Sequence, residues 1–65
     1  MRLSYDIYLD YHTQRVEYNI SYFTIYSKFI ENDDVIAEIS FTTTDGQDYI
    51  LPLNELNNLV IEEEK

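Results

Sequence analysis

The chain contains no cysteine and no tryptophan, and only one glycine, one proline and one histidine. Without cysteine there is neither a disulfide nor a thiolate metal site. His12 alone cannot assemble the ligand set that zinc takes. Gly46 as the only glycine excludes a glycine-rich phosphate loop. No apolar run approaches the roughly 20 residues of a membrane span. Cations are scarce as well. Arg2, Arg15, Lys28 and Lys65 stand against thirteen acids, for a formal net charge of −9. Four scattered cations cannot neutralise a run of phosphates, which argues against direct nucleic-acid binding. A charge of this sign repels nucleic acid and anionic membrane and attracts basic protein surfaces. It also promotes solubility in its own right.

Sixty-five residues make one domain with a small core. A chain of this size buries only about 60% of the surface its unfolded form exposes. Disulfides and metals are the usual supplements, and both are excluded here, so a homodimer is the device that remains. The hydrophobic fraction of 45%, rich in tyrosine and isoleucine, argues against disorder. Met1-Arg2 runs straight into a strand-like pattern with Asp6, with no signal-peptide character. The expectation is a soluble protein of the cytoplasm.

Residues 3–11 alternate, with Leu3, Tyr5, Ile7, Leu9 and Tyr11 on one face. Val16, Tyr18 and Ile20 alternate again. A two-residue loop at Thr13-Gln14 sets Tyr11 opposite Val16, Leu9 opposite Tyr18 and Ile7 opposite Ile20, all apolar pairs. Residues 21–31, SYFTIYSKFIE, have strand-like composition but a helical period. At about 100° per residue, Tyr22, Phe23, Ile25, Tyr26, Phe29 and Ile30 share an arc of roughly 160°. The spacing predicts an amphipathic helix capped by Asn19 or Ser21. A polar turn, Glu31-Asn32-Asp33-Asp34, follows. Asp45-Gly46 between VIAEISFTT and QDYIL predicts a second hairpin, with Phe41 opposite Ile50 and Thr42 opposite Tyr49. Pro52 ends that strand. A helical turn over 54–58 and a strand over 59–62, with Leu59 and Ile61 inward, complete the chain. The expected fold class is α+β: a small antiparallel sheet with one amphipathic helix, in the order ββαββ plus a short end element.

Catalytic readings find little support. Nucleophilic catalysis needs a nucleophile beside a base, and His12 falls in a predicted loop. Asp6 with Asp10 is the one carboxylate pair suited to acid–base work, in a chain too small for an evident cleft. Glu31, Asp33 and Asp34 match no calcium loop. No enzyme activity and no cofactor are expected. The open face of the first hairpin is more informative. In the register above, Asp10 lies across from Glu17, Asp6 is further along the same face, and Tyr8 sits between the aspartates. Like charges directly opposite are destabilising. A strand advances about 6.6–6.8 Å per two residues, close to two phosphate steps of about 3.4 Å along one DNA strand. Asp6, Asp10 and Glu17 would then present acids at phosphate-like intervals, with Tyr8 as a polar-tipped anchor. A solvated outer face is the plainer alternative. The predicted helix offers a second surface, where Tyr22, Tyr26 or Phe29 would contribute to a dimer seam or a pocket for a partner side chain.

An acidic, tyrosine-rich mini-domain in the order hairpin, aromatic helix, strand resembles the very small phage-encoded inhibitors of uracil-DNA glycosylase. The matching pieces are SYDI at 4–7, VEY at 16–18, SYFTIY at 21–26 and DDVIAEI at 33–39, about half the chain. The resemblance implies a dimeric DNA mimic acting in a host cytoplasm, with Glu17 at an inhibitory glutamate and Phe23 at a helix aromatic near the partner's pocket. The family's helix glutamate and tyrosine are replaced here by Thr24 and Ser27, and residues 42–65 have no counterpart. Two functions are therefore expected. One is an acidic inhibitor occupying the nucleic-acid groove of a basic DNA-processing or defence protein through Asp6, Tyr8, Asp10 and Glu17. The alternative is a small adaptor or regulatory subunit that binds through Phe23, Tyr26 and Phe29 or through a sheet edge.

Overall fold

The computed structural model describes residues 1–29 and 34–63. It is almost entirely β. The strands are β1 (Arg2–Tyr8), β2 (Thr13–Phe29), β3 (Val35–Thr43), β4 (Asp48–Pro52) and β5 (Asn57–Glu62), with a 3-10 turn at Leu53–Glu55. They form one antiparallel sheet in the order β4-β3-β2-β1-β5. The last strand begins two residues earlier than the spacing predicted, and the turn before it is shorter.

The expected helix is absent, and with it the α+β class. Its described residues, 21–29, are the second half of β2, paired with β3 from Tyr22↔Thr42 to Phe29↔Val35. Ile30 and Glu31 lie outside the described residues, as do Asn32 and Asp33 of the predicted polar turn. Composition wins over period here. Tyr, Phe, Ile and Thr lose side-chain freedom in a helix and pack well on a pleated surface. The helical arc arose because apolar residues sit on both faces of this strand.

At 17 residues, β2 is about three times the usual strand length, because it serves two halves of the sheet. Thr13–Asn19 pair with β1, and residues 20–29 pair with β3. The pairing shifts between Ile20 and Tyr22. A bulge of this kind bends its strand and increases the local twist. The bend brings both inner faces onto one core. Leu3, Tyr5, Ile20, Ile39 and Phe41 are buried there, and Tyr18, Tyr49, Leu51, Leu53, Leu56, Leu59 and Ile61 pack against them. Tyr18 is the aromatic hub, with ring centroids 5.4 Å from Phe41 and 5.1 Å from Tyr49.

Both predicted hairpins exist, in other registers. In the first, Tyr5 faces Val16 and Leu3 faces Tyr18, and residues 9–12 make the turn, where Leu9 donates its N–H to the His12 carbonyl at 2.8 Å. This register sets Asp6 opposite Arg15 and removes the expected Asp10–Glu17 opposition. Opposite charges replace like charges across the strands, as cross-strand energetics favour. In the second hairpin Phe41 faces Tyr49 and Thr42 faces Asp48. The loop is one residue longer than predicted. The Gly46 N–H bonds the Thr43 carbonyl, the Thr43 N–H bonds the Gln47 carbonyl, and Gly46 takes φ +92°. A three-residue loop with glycine in the left-handed region is the next standard hairpin solution. The single-residue slip turns β4 over, so Tyr49 stacks on Phe41 and Ile50 faces outward.

Beyond the core, β2 and β3 continue as a two-stranded arm. The radius of gyration is 13.2 Å, against about 11 Å expected for a compact chain of this length.

Removing the central ring should be severe. Phe41→Ala is expected to cost about 3–5 kcal/mol, enough to abolish the cooperative urea transition followed by far-ultraviolet circular dichroism. Gly46→Ala, whose added Cβ would meet nothing within 4 Å, should cost only the conformational strain, about 1–2 kcal/mol. Equal losses for the two variants would contradict this placement of the core.

Candidate interaction surface

The outer face of β1 and its neighbours is a network of opposite charges. Arg15 donates to Asp6 Oδ1 at 3.0 Å, to Ser4 Oγ at 2.8 Å and to the Asn58 carbonyl at 2.8 Å. The Asn58 side-chain amide donates to Asp6 Oδ2 at 2.9 Å. Asn58 sits at φ +54°, where the β1–β5 pairing shifts register. Asparagine tolerates that left-handed conformation better than most residues. At the other end of the face Arg2 pairs with Glu62 at 2.8 Å. Hydrogen bonding from Asn58, then from Arg15, holds the Asp6 carboxyl below its ordinary value. Its role is therefore to tie β5 to the first hairpin.

The six residues singled out from the sequence do not converge. Asp6 and Glu17 share the outer face of the first hairpin, with Arg15 between them along β2. Tyr8 is exposed at the end of β1 on that same face. Asp10 lies beyond the strand, in the bend before β2. Glu17 also borders a shallow polar depression of about 300 Å³, together with Tyr18, Asn19, Thr43, Thr44 and Asp45. Phe23 and Tyr26 fall on opposite faces of the arm. Phe23 faces Phe41 on the core side, and Tyr26 faces Glu38 on the outer side. Burial, and then the Glu38 carboxylate, push the Tyr26 phenol above its ordinary value. Among the described residues no group of three His, Cys, Asp or Glu is placed to hold a metal ion, and no helix is long and apolar enough to cross a membrane.

The arm carries an apolar surface of which residue patterning singled out Phe23 and Phe29 but not Val35 or Ala37. Its core-side face continues the row that begins with Phe23, Phe41 and Ile39. Beyond them come Ile25, Phe29, Val35 and Ala37, and among the described residues no other element covers the far end. Ile25 is 50% exposed, Val35 53% and Phe29 79%. On the outer face Tyr22 is exposed too. A further sequence signal for this surface is that no acid occurs between Glu17 and Glu31 in a chain otherwise dense in them.

No family model, no curated protein and no solved structure matches the chain. Its chemistry is read from its own geometry.

The Asp6 network makes stability pH-dependent with a defined sign. The folded-state pKa of Asp6 lies below the unfolded one, so its stabilisation is present above the unfolded value of about 3.9. It is lost as the pH falls through the lower folded value. Asp6→Asn should remove that part of the acid limb in urea titrations between about pH 5 and pH 2. An acid limb unchanged by the substitution would show that the contacts do not form.

Proposed function

We propose that this chain is an acidic protein-interaction module, with no catalytic role, that engages its partner through the β2–β3 arm. The observation that supports this most is the clustered apolar row of Ile25, Phe29 and Val35 on one projecting face, whereas the exposed aliphatics of the edge strands, Ile50 and Val60, stand singly opposite serines. Apolar side chains clustered on a projecting element are the usual anchors of protein interfaces, and they bind best inside a rim of charge. The net charge of −9 supplies a field that draws in a basic surface. A cytoplasmic partner with an apolar cleft edged by lysine or arginine fits both features.

The same charge favours a second reading, the groove-occupying DNA mimic. The arrangement of Asp6 weakens it. Arg15 and Asn58 already occupy that carboxylate, and two of the four cations of the chain lie on the face meant to imitate phosphates.

The two readings part in one experiment. Proteins captured from a host lysate by the wild-type chain are compared with those captured by Phe29→Ser/Val35→Ser and by Asp6→Asn/Asp10→Asn, each with and without competing duplex DNA. The arm reading expects loss of capture, by tenfold or more, in the first variant and near-wild-type capture in the second, with DNA having little effect. Loss in the carboxamide variant together with displacement by DNA would establish the mimic instead.

A further inference from the structure

Among the described residues the sheet has four stretches of open edge. The β4 edge is five residues long, begins at Asp48 and ends at Pro52. The β5 edge is interrupted by the left-handed Asn58 and ends at Glu62. Prolines, charges, bulges and short strands are the devices by which natural sheets prevent strand addition. The third open edge is the second half of β2. β1 covers β2 only as far as Ile20, whose N–H reaches the Met1 carbonyl at 2.8 Å. From Tyr22 to Phe29, among the described residues, β2 is paired with β3 alone. This stretch runs about 24 Å. It contains no proline, no acid and no bulge, and one charge, Lys28. The fourth, the side of Thr13–Tyr18 away from β1, is shorter and carries Arg15 and Glu17, so the second half of β2 is the longest open edge and the one left unprotected.

We infer that this edge pairs antiparallel with the same edge of a second copy, giving a homodimer with a continuous sheet across the two-fold axis. Three observations favour a second copy over a foreign strand. The first is charge. A chain of net charge −9 resists its own approach, and the stretch devoid of acid is where two copies can meet with the least repulsion. The second is self-complementarity. An axis perpendicular to the sheet keeps each face on its own side, so the seam is centred on Ile25 or on Tyr26. Centred on Tyr26, it sets Phe23 of one copy against Phe29 of the other twice over, and Thr24 against Lys28, with no like-charge pair. Centred on Ile25, it sets Tyr22 against Lys28 and Phe23 against Ser27. The third is size. Five fully or nearly buried apolar side chains make a slender core, and a shared arm stiffens the part of the chain that lies furthest from it. The seam uses edge groups and leaves the apolar faces open. The rows of Ile25, Phe29 and Val35 from two copies would then form one doubled surface. The inference goes beyond the proposed function and does not depend on which partner that surface meets.

The test is sedimentation equilibrium of the full chain from about 1 to 500 µM, at about 20 and 500 mM NaCl, where screening lengths differ severalfold. A dimer is expected whose dissociation constant falls at least threefold with added salt, opposite in sign to the capture of a basic partner. Because the chain has no cysteine, seam position is read from Ile25→Cys, Tyr26→Cys and the remote Asp45→Cys, each oxidised separately. One of the two seam variants should form a covalent dimer at least tenfold faster than Asp45→Cys, since directly opposed strand residues meet disulfide geometry. A monomer at every concentration would overturn the inference. So would a dimer in which neither seam cysteine crosslinks faster than the control. Val35→Ser, which lies on β3 away from the seam, separates the two proposals. Loss of partner capture by a chain that is still dimeric supports the arm reading alone, and a monomer that still captures through Val35 overturns the dimer alone.

Discussion

The constraint on which the rest depends is the bend in β2. One strand is shared by two half-sheets, and the change of register between Ile20 and Tyr22 lets its first half face β1 while its second half faces β3. The bend places Leu3 and Tyr5 over Ile39 and Phe41, and so creates the core. Because β1 stops at Ile20, everything further along β2 must be covered by β3 on one side and by solvent or another molecule on the other. The core thus depends on a local irregularity in β2, and the arm and open edge on the short reach of β1 along it.

The distribution of charge follows the same division. Around the first hairpin, acids are matched by Arg2 and Arg15, and carboxylates work as structural ties between strands. Along the second half of β2, charge is almost absent, and large apolar side chains occupy positions that a lone monomer does not bury. A net charge of −9 then has a clearer physical role. Charge of this sign repels acidic surfaces and opposes close approach of one copy to another except where acids are absent.

How much of this was legible depended on parity. The first hairpin is displaced by three residues on each strand from the register expected, yet the sum of paired positions changes by an even number. Leu3, Tyr5, Val16, Tyr18 and Ile20 therefore face the core as their alternation indicated. The second hairpin is displaced by one, and that exchanged Tyr49 for Ile50 on the inner face. The difference lies in whether Asp45-Gly46 closes a two-residue or a three-residue loop, a choice fixed by the hydrogen bonds of Thr43 and Gln47 rather than by the Asp-Gly pair itself. Period alone does not decide residues 21–29, because apolar residues at 22, 23, 25, 26 and 29 satisfy a helical arc and a two-faced strand equally well. Their β-branched and aromatic character was the better guide. Asp6 and Glu17 share an outer face as their alternation indicated, but Asp10 lies beyond the strand and Arg15 stands opposite Asp6. Nothing local indicates that Asn58, distant in sequence, returns to bind Asp6.

The most direct test of the account is the backbone of residues 21–29 observed by nuclear magnetic resonance in the full chain. A continuous, bent β2 predicts extended-backbone chemical shifts throughout this stretch, with cross-strand backbone contacts joining residues 22–29 to residues 35–42. Helical shifts with contacts between residues three apart would contradict it, and would remove the arm, the open edge and the surface argued from them.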